Sequence, residues 1–259
     1  MKKALIILFC TIHCALSVLP LHAQTTTGYM CNPPLPYMPY KLDVLFIGNS
    51  FSIDTNAAMP QILKNLGLNT VSIYVLYKSG CSMRQHYEQL IGDSPVYDLY
   101  RYDAQAGKRI AEKVSSKKII EQNTFDIVVF QQYSLHSPDY ATYEPYLAKL
   151  IQAYRLLTPS PRTTFAFNQT WAYDTPRAAK TTYSTPTAMW QHICNATRDM
   201  KAHSGIDIII PCGTAVQNAR SMKTPTTQFE WTRDGQHISM AQGRYLLACT
   251  LFEAIIAPC

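Results

Sequence analysis

The sequence reads as an α/β protein, a three-layer α/β/α sandwich around a five-stranded parallel sheet. Three observations predict this. Short runs of apolar and β-branched residues recur along the chain, each with the length of a buried strand. Between them lie stretches with apolar residues at helical spacing. Strands and helices alternate at βα spacing, which makes the strands parallel and covers the sheet on both faces.

In chain order, residues 42–47 form the first apolar run, which ends in Gly48-Asn49-Ser50. Residues 57–66 have helical spacing and are closed by Gly67. A second strand over 70–76 ends before Ser79-Gly80, and 83–91 is a short helix. The Tyr- and Asp-rich segment 92–107 reads as an insertion or small hairpin. Residues 115–122 are helical, and a third strand over 126–130 runs into Gln131-Gln132. Residues 143–157 carry Tyr146, Leu147, Leu150, Ile151, Tyr154 and Leu157 on one helical stripe. A fourth strand follows over 163–167, then a helix over 187–203 closed by Gly205. A fifth strand over 206–210 stops at Pro211, and 240–256 is the last helix.

The N-terminus has the pattern of a secretory signal over residues 1–23: Lys2 and Lys3, then an apolar run, then Leu21-His22-Ala23. Residues 24–40 are polar and Pro-rich and read as a leader before a single domain over 41–259. No later stretch is apolar enough to span a bilayer. The expectation is therefore an exported protein, periplasmic or secreted, with no stable membrane span after cleavage. Hydrophobic residues make up 47% and charged residues 15%, which excludes a disordered chain. The formal net charge is +6, without the basic run of a nucleic-acid footprint. Beyond the signal lie Cys31, Cys81, Cys194, Cys212, Cys249 and Cys259, none at C-x-x-C spacing. That argues against zinc and thioredoxin-type chemistry. Two matches to the glycosylation pattern, at Asn168 and Asn195, read as chance.

In parallel α/β sheets, ligands bind outside the carboxyl ends of the strands. The clusters Gly48-Asn49-Ser50, Ser79-Gly80, Gln131-Gln132 and Asn168-Gln169-Thr170-Trp171 each follow a strand, so they should collect on one rim. Ser50 there can project its hydroxyl into the crevice, or it can be the polar tip of a turn. Asp234-Gly235-Gln236-His237 can supply a base and the carboxylate that orients it, or it can be an ordinary Asp-Gly turn. Gly80, with no side chain, lets its N–H approach a ligand closely, or merely makes a turn. Gln131 or Gln132 could donate an amide to an oxyanion, and a structural hydrogen bond would equally satisfy either.

Taken together, these residues resemble the SGNH (GDSL-type) hydrolase superfamily, in order and placement over most of the chain. Gly48-Asn49-Ser50-Phe51-Ser52 resembles the first block, with Ser50 as nucleophile. Gly80 resembles the glycine of the second block, and Gln131-Gln132 stands where the third block usually carries asparagine. Asp234-x-x-His237 resembles the last block. The stretch from Leu45 to Ser52 and Thr170-Trp171-Ala172-Tyr173 are most similar to a largely uncharacterised exported bacterial branch. Asn49 departs from the aspartate common in the first block, and the third-block asparagine is absent.

The resemblance implies a flavodoxin-like fold and a carboxylic ester hydrolase that needs no cofactor and no metal. It implies a Ser50–His237–Asp234 triad, with an oxyanion hole from Ser50, Gly80 and Gln131 or Gln132. Asn49, Tyr133, Trp171 and Trp231 are candidate substrate contacts, and a rim rich in aromatic rings suits a sugar ester. Aromatics also serve as packing residues. The expected substrate is a small-molecule or polysaccharide ester, and the expected activity is carbohydrate O-acetylesterase or deacylase. The alternatives are a weak or inactive carbohydrate-binding protein on the same fold, and a lipase or thioesterase. In that fold the last helix should run back from the active rim, which would bring Cys259 near Cys31 for a disulfide.

Overall fold

The computed structural model describes residues 41–206, 208–222 and 231–257. The expected signal and leader segments and both members of the expected Cys31–Cys259 pair lie outside the described residues. The chain folds as an α/β protein with helices on both faces of a mostly parallel sheet.

The strands are β1 (Leu42–Gly48), β2 (Val71–Tyr77), β3 (Pro95–Tyr102), β4 (Gly107–Ser115), β5 (Ile127–Phe130), β6 (Thr164–Asn168) and β7 (Ile208–Ile210). Their order across the sheet is β4-β3-β2-β1-β5-β6-β7. The five strands expected from the apolar runs are the five parallel ones. The sheet has seven strands rather than five because the 92–107 segment opens a hairpin that continues to Ser115 and pairs antiparallel with β2. Its outer strand, Gly-Lys-Arg-Ile-Ala-Glu-Lys-Val-Ser, lies mostly in solvent. Such an edge strand has no buried face to impose an apolar pattern, and its charges discourage pairing with another chain.

The parallel strands are buried on both faces, as their continuous apolar runs require. On one face, Val44, Phe46, Ile73, Val75, Val129, Ile208 and Ile210 share a core with Phe51, Met59, Trp171 and Leu247. On the other, Leu45, Ile47, Val128, Phe130, Phe165 and Ile209 pack with Met83, Ile120, Leu147 and Ile151. The alternation along each strand divides these residues between the two layers.

The helices are α1 (Ser50–Asn56), α2 (Met59–Leu66), α3 (Met83–Ile91), α4 (Ser116–Gln122), α5 (Tyr146–Leu157), α6 (Thr175–Ala178), α7 (Pro186–Ser204), α8 (Cys212–Ser221) and α9 (Gln242–Leu251). A π-helical turn, Phe252–Ile256, continues α9. Helix α3 opens with a capping box in which Ser82 and Gln85 satisfy each other's main-chain N–H groups. The chain passes from β1 to β2 on one side and returns to β5 on the other. The topological switch point therefore lies at the carboxyl ends of β1 and β5, where Ser50 and the two glutamines emerge.

Candidate active site

At the end of β1, Asn49 is extended (φ −130°, ψ −155°), and its Oδ1 accepts the Phe51 N–H at 3.1 Å. This N-cap starts α1 with Ser50 as its first residue. The Ser50 Oγ lies 2.9 Å from His237 Nε2.

His237 sits on a tight turn closed by a bridge between Thr232 and Ile238 and by Arg233 N–H donating to the His237 carbonyl at 2.9 Å. Gly235 takes φ +80° at the bend, a conformation that glycine adopts without strain. The turn folds the Asp234 carboxylate over the ring. Its Oδ2 lies 2.6 Å from His237 Nδ1. Its Oδ1 accepts the main-chain N–H of His237 at 2.7 Å and of Gln236 at 3.0 Å. Partial burial pushes the Asp234 pKa up. The hydrogen bonds from the His237 ring and from these two N–H groups outweigh it and hold the carboxyl at about 2. An ionised Asp234 keeps the proton on Nδ1 and leaves Nε2 free to accept from Ser50. Sequence separation explains why no local pattern reveals the contact: Ser50 and His237 are 187 residues apart.

The other expected residues fall into two groups. Gly80 is exposed at φ +60°, and neither its N–H nor that of Ser50 makes a hydrogen bond within the described residues. Tyr133 and Trp231 are half-buried. The remaining four are buried. Asn49 is buried, accepts from Gln131 Nε2 at 2.8 Å and donates to the Cys81 carbonyl at 3.1 Å. It therefore ties the Ser50 turn to the Gly80 loop and is not exposed to solvent. Gln131 also accepts from Ser52 Oγ. Gln132 accepts from the N–H groups of Met83 and Tyr133 and donates to Thr142 O and Oγ1. Both glutamines thus make structural hydrogen bonds, one of the two uses open to them from sequence.

Trp171 is a correction of the same kind. It has no exposed surface, so it is not a sugar platform. Its ring stacks on Phe51 with centroids 4.1 Å apart, and its Nε1–H donates to the Gln236 carbonyl at 2.8 Å. One indole thus joins the residue after Ser50 to the residue before His237.

Sequence reasoning missed Asp54, Arg233, Arg244 and Asp174. Asp54 is fully buried in α1 and pairs with Arg233 at 3.0 Å and Arg244 at 2.7 Å. Asp174 takes Thr232 Oγ1 and Arg220, and its N–H donates to the Gly235 carbonyl at 2.9 Å. An acid inside a short polar helix gives no pattern that separates it from a solvated one. Among the described residues, no cluster of His, Cys, Asp and Glu is placed to hold a metal ion. None of their helices is long and apolar enough to cross a membrane.

Comparison with solved structures places this geometry on a known fold. A DUF4886 family protein from Bacteroides uniformis superposes with a TM-score of 0.76 at 30% identity, over 83% of each chain. A proposed SGNH hydrolase from Slackia heliotrinireducens gives a TM-score of 0.57 at 20% identity, over 83% of this chain and 99% of that one. An acetyl xylan esterase, AlAXEase, gives 0.54 at 14% identity, over 83% and 100%. At such identities the last two show a shared fold. No curated protein matches the chain. The family described as "Domain of unknown function (DUF4886)" matches residues 43–258. The chain therefore belongs to the DUF4886 family.

Proposed function

We propose that this protein is a serine esterase of the SGNH type, exported, and acting on an acetylated or otherwise acylated carbohydrate. The observation that carries the reading is the relay from Ser50 Oγ through His237 to Asp234, at 2.9 Å and 2.6 Å. A serine hydroxyl is a weak nucleophile until a base takes its proton, and the base needs a fixed tautomer.

In this reading, His237 Nε2 removes the Ser50 proton as Oγ attacks the ester carbonyl. The C=O electron pair moves onto oxygen, and the unpartnered N–H groups of Ser50 and Gly80 donate to that oxyanion. His237 returns its proton to the departing alcohol. Water, deprotonated by the same ring, then releases the acyl group from Ser50. The carbohydrate part rests on the half-buried Tyr133 and Trp231 beside the rim motifs, and on a fold shared with acetyl xylan esterases.

Hydrolysis of p-nitrophenyl acetate and of longer acyl homologues tests the reading. Activity that falls steeply with chain length and disappears in Ser50→Ala supports a small-acyl esterase. Full activity in Ser50→Ala removes the serine mechanism. A preference for long acyl chains makes the protein a lipase or thioesterase. Saccharide binding without hydrolysis makes it a binding protein.

A further inference from the structure

The Ser50-bearing helix and the His237-bearing turn are far apart in sequence, and one buried carboxylate joins them. Asp54 lies four residues after Ser50, one turn along α1, and has no exposed surface. Arg233 lies four residues before His237, and Arg244 lies in α9, seven residues after it. Arg233 Nη1 reaches both Asp54 oxygens, at 3.2 and 3.0 Å, and also donates to the Ile238 carbonyl at 2.5 Å. Arg244 approaches Asp54 Oδ1 through Nε at 2.9 Å and Nη2 at 2.7 Å. Both Asp54 oxygens are therefore engaged. The guanidinium of Arg233 spans from the nucleophile helix to the residue after the base.

We propose that Asp54 is a positioning residue for the proposed reaction, acting through Arg233 to hold the His237 turn against the Ser50 helix. The inference rests on the esterase reading. A single ion pair at the surface adds little, but a carboxylate wholly removed from water and held by two arginines resists displacement. Arg233 holds Asp54 and the turn at once. Arg244 holds Asp54 from α9 and, within the described residues, makes no side-chain bond to the turn. The two arginines should therefore be unequal in catalysis even where they are similar in stability.

The experiment compares Asp54→Asn, Arg233→Gln, Arg233→Lys and Arg244→Gln with the wild-type chain. Each is assayed at least 15 °C below its own Tm, so that only folded protein is compared. Expected for Asp54→Asn and Arg233→Gln is a kcat at least tenfold lower with KM within about twofold, because substrate contacts are unchanged and only the relay is misplaced. Arg233→Lys, which keeps the second positive charge beside Asp54, should recover part of the loss. Arg244→Gln should lose Tm but less than threefold in kcat. The second readout is the His237 ring signal by NMR, with its Nδ1 proton shared with Asp234. That signal should broaden in Asp54→Asn and Arg233→Gln and stay sharp in Arg244→Gln.

Equal kcat in all four variants, or losses that follow Tm alone with a sharp ring signal throughout, would overturn the proposal. If the wild-type chain hydrolyses no ester, the esterase reading fails. The ring signal still decides whether Asp54 holds the turn.

Discussion

Trp171→Phe separates two roles for one residue. A sugar platform would have to be open to solvent, whereas Trp171 is fully buried and bridges Phe51 and Gln236. Phenylalanine keeps most of the stacking but cannot donate to the Gln236 carbonyl. A buried acceptor left without its donor costs about 1–3 kcal/mol. The smaller ring leaves a void of roughly 40 Å³, worth about 1 kcal/mol at ~24 cal/mol per Å³. The sum, about 2–4 kcal/mol, lowers Tm by about 5–15 °C in a domain of this size. The carbonyl belongs to the residue before His237, so kcat should fall about tenfold or more with KM little changed. Thermal unfolding by circular dichroism and p-nitrophenyl acetate kinetics well below Tm measure both. A variant with wild-type Tm and kcat but a raised KM for an acetylated saccharide would refute the strut and restore the platform.

The remaining predictions concern the same rim. The Asp234 carboxyl is held at about 2, below its ordinary 3.8, so its contribution to stability is complete above about pH 4 and lost as pH falls toward 2. Because the side chain is half exposed the contribution is small, and the stability difference between wild type and Asp234→Asn should vanish across that window. At neutral pH the same variant should lose up to about 10⁴ in kcat, through the wrong imidazole tautomer. Gly80 takes φ +60° with open space where a Cβ would go, so Gly80→Ala introduces strain without a clash. Its Tm should fall by a few degrees for about 1 kcal/mol, and kcat should fall if its N–H is an oxyanion donor. Gln132→Met removes the bonds to Met83, Tyr133 and Thr142 and should lower Tm while leaving kcat near wild type. A large kcat loss at unchanged Tm would return that amide to the oxyanion hole.

The five parallel strands were legible because burial on both faces forces continuous apolar runs such as Val-Leu-Phe-Ile in β1. The edge hairpin was legible only as far as residue 107, because β4 is solvated and its sequence, Lys-Arg-Ile-Ala-Glu-Lys, obeys no two-residue period. Helices α1 and α8 gave no apolar stripe. In α1 the buried side chains include Ser52, Asp54, Thr55 and Asn56; Ser52 and Asp54 bond to partners distant in sequence, while Thr55 Oγ1 and Asn56 Nδ2 donate to the helix's own carbonyls. Ser50, Asp234 and His237 could be named because together they resemble the first and last blocks of the SGNH superfamily; taken singly, each also fitted an ordinary turn. Asn49, Gln131 and Gln132 could be placed near the site, but their roles depend on which acceptor each amide meets. Trp171 misled because an indole beside a polar loop looks the same in sequence whether its face meets a ligand or Phe51.

The central claim is that Ser50 is activated by His237. Covalent labelling with a small p-nitrophenyl organophosphate tests it without any assumption about the natural substrate. The reagent should attach once per wild-type chain, at the peptide carrying Ser50, with release of one p-nitrophenolate. In His237→Ala the labelling rate should drop by about 10³ or more. Attachment at another residue, or equal labelling of Ser50 in wild type and His237→Ala, would contradict the account.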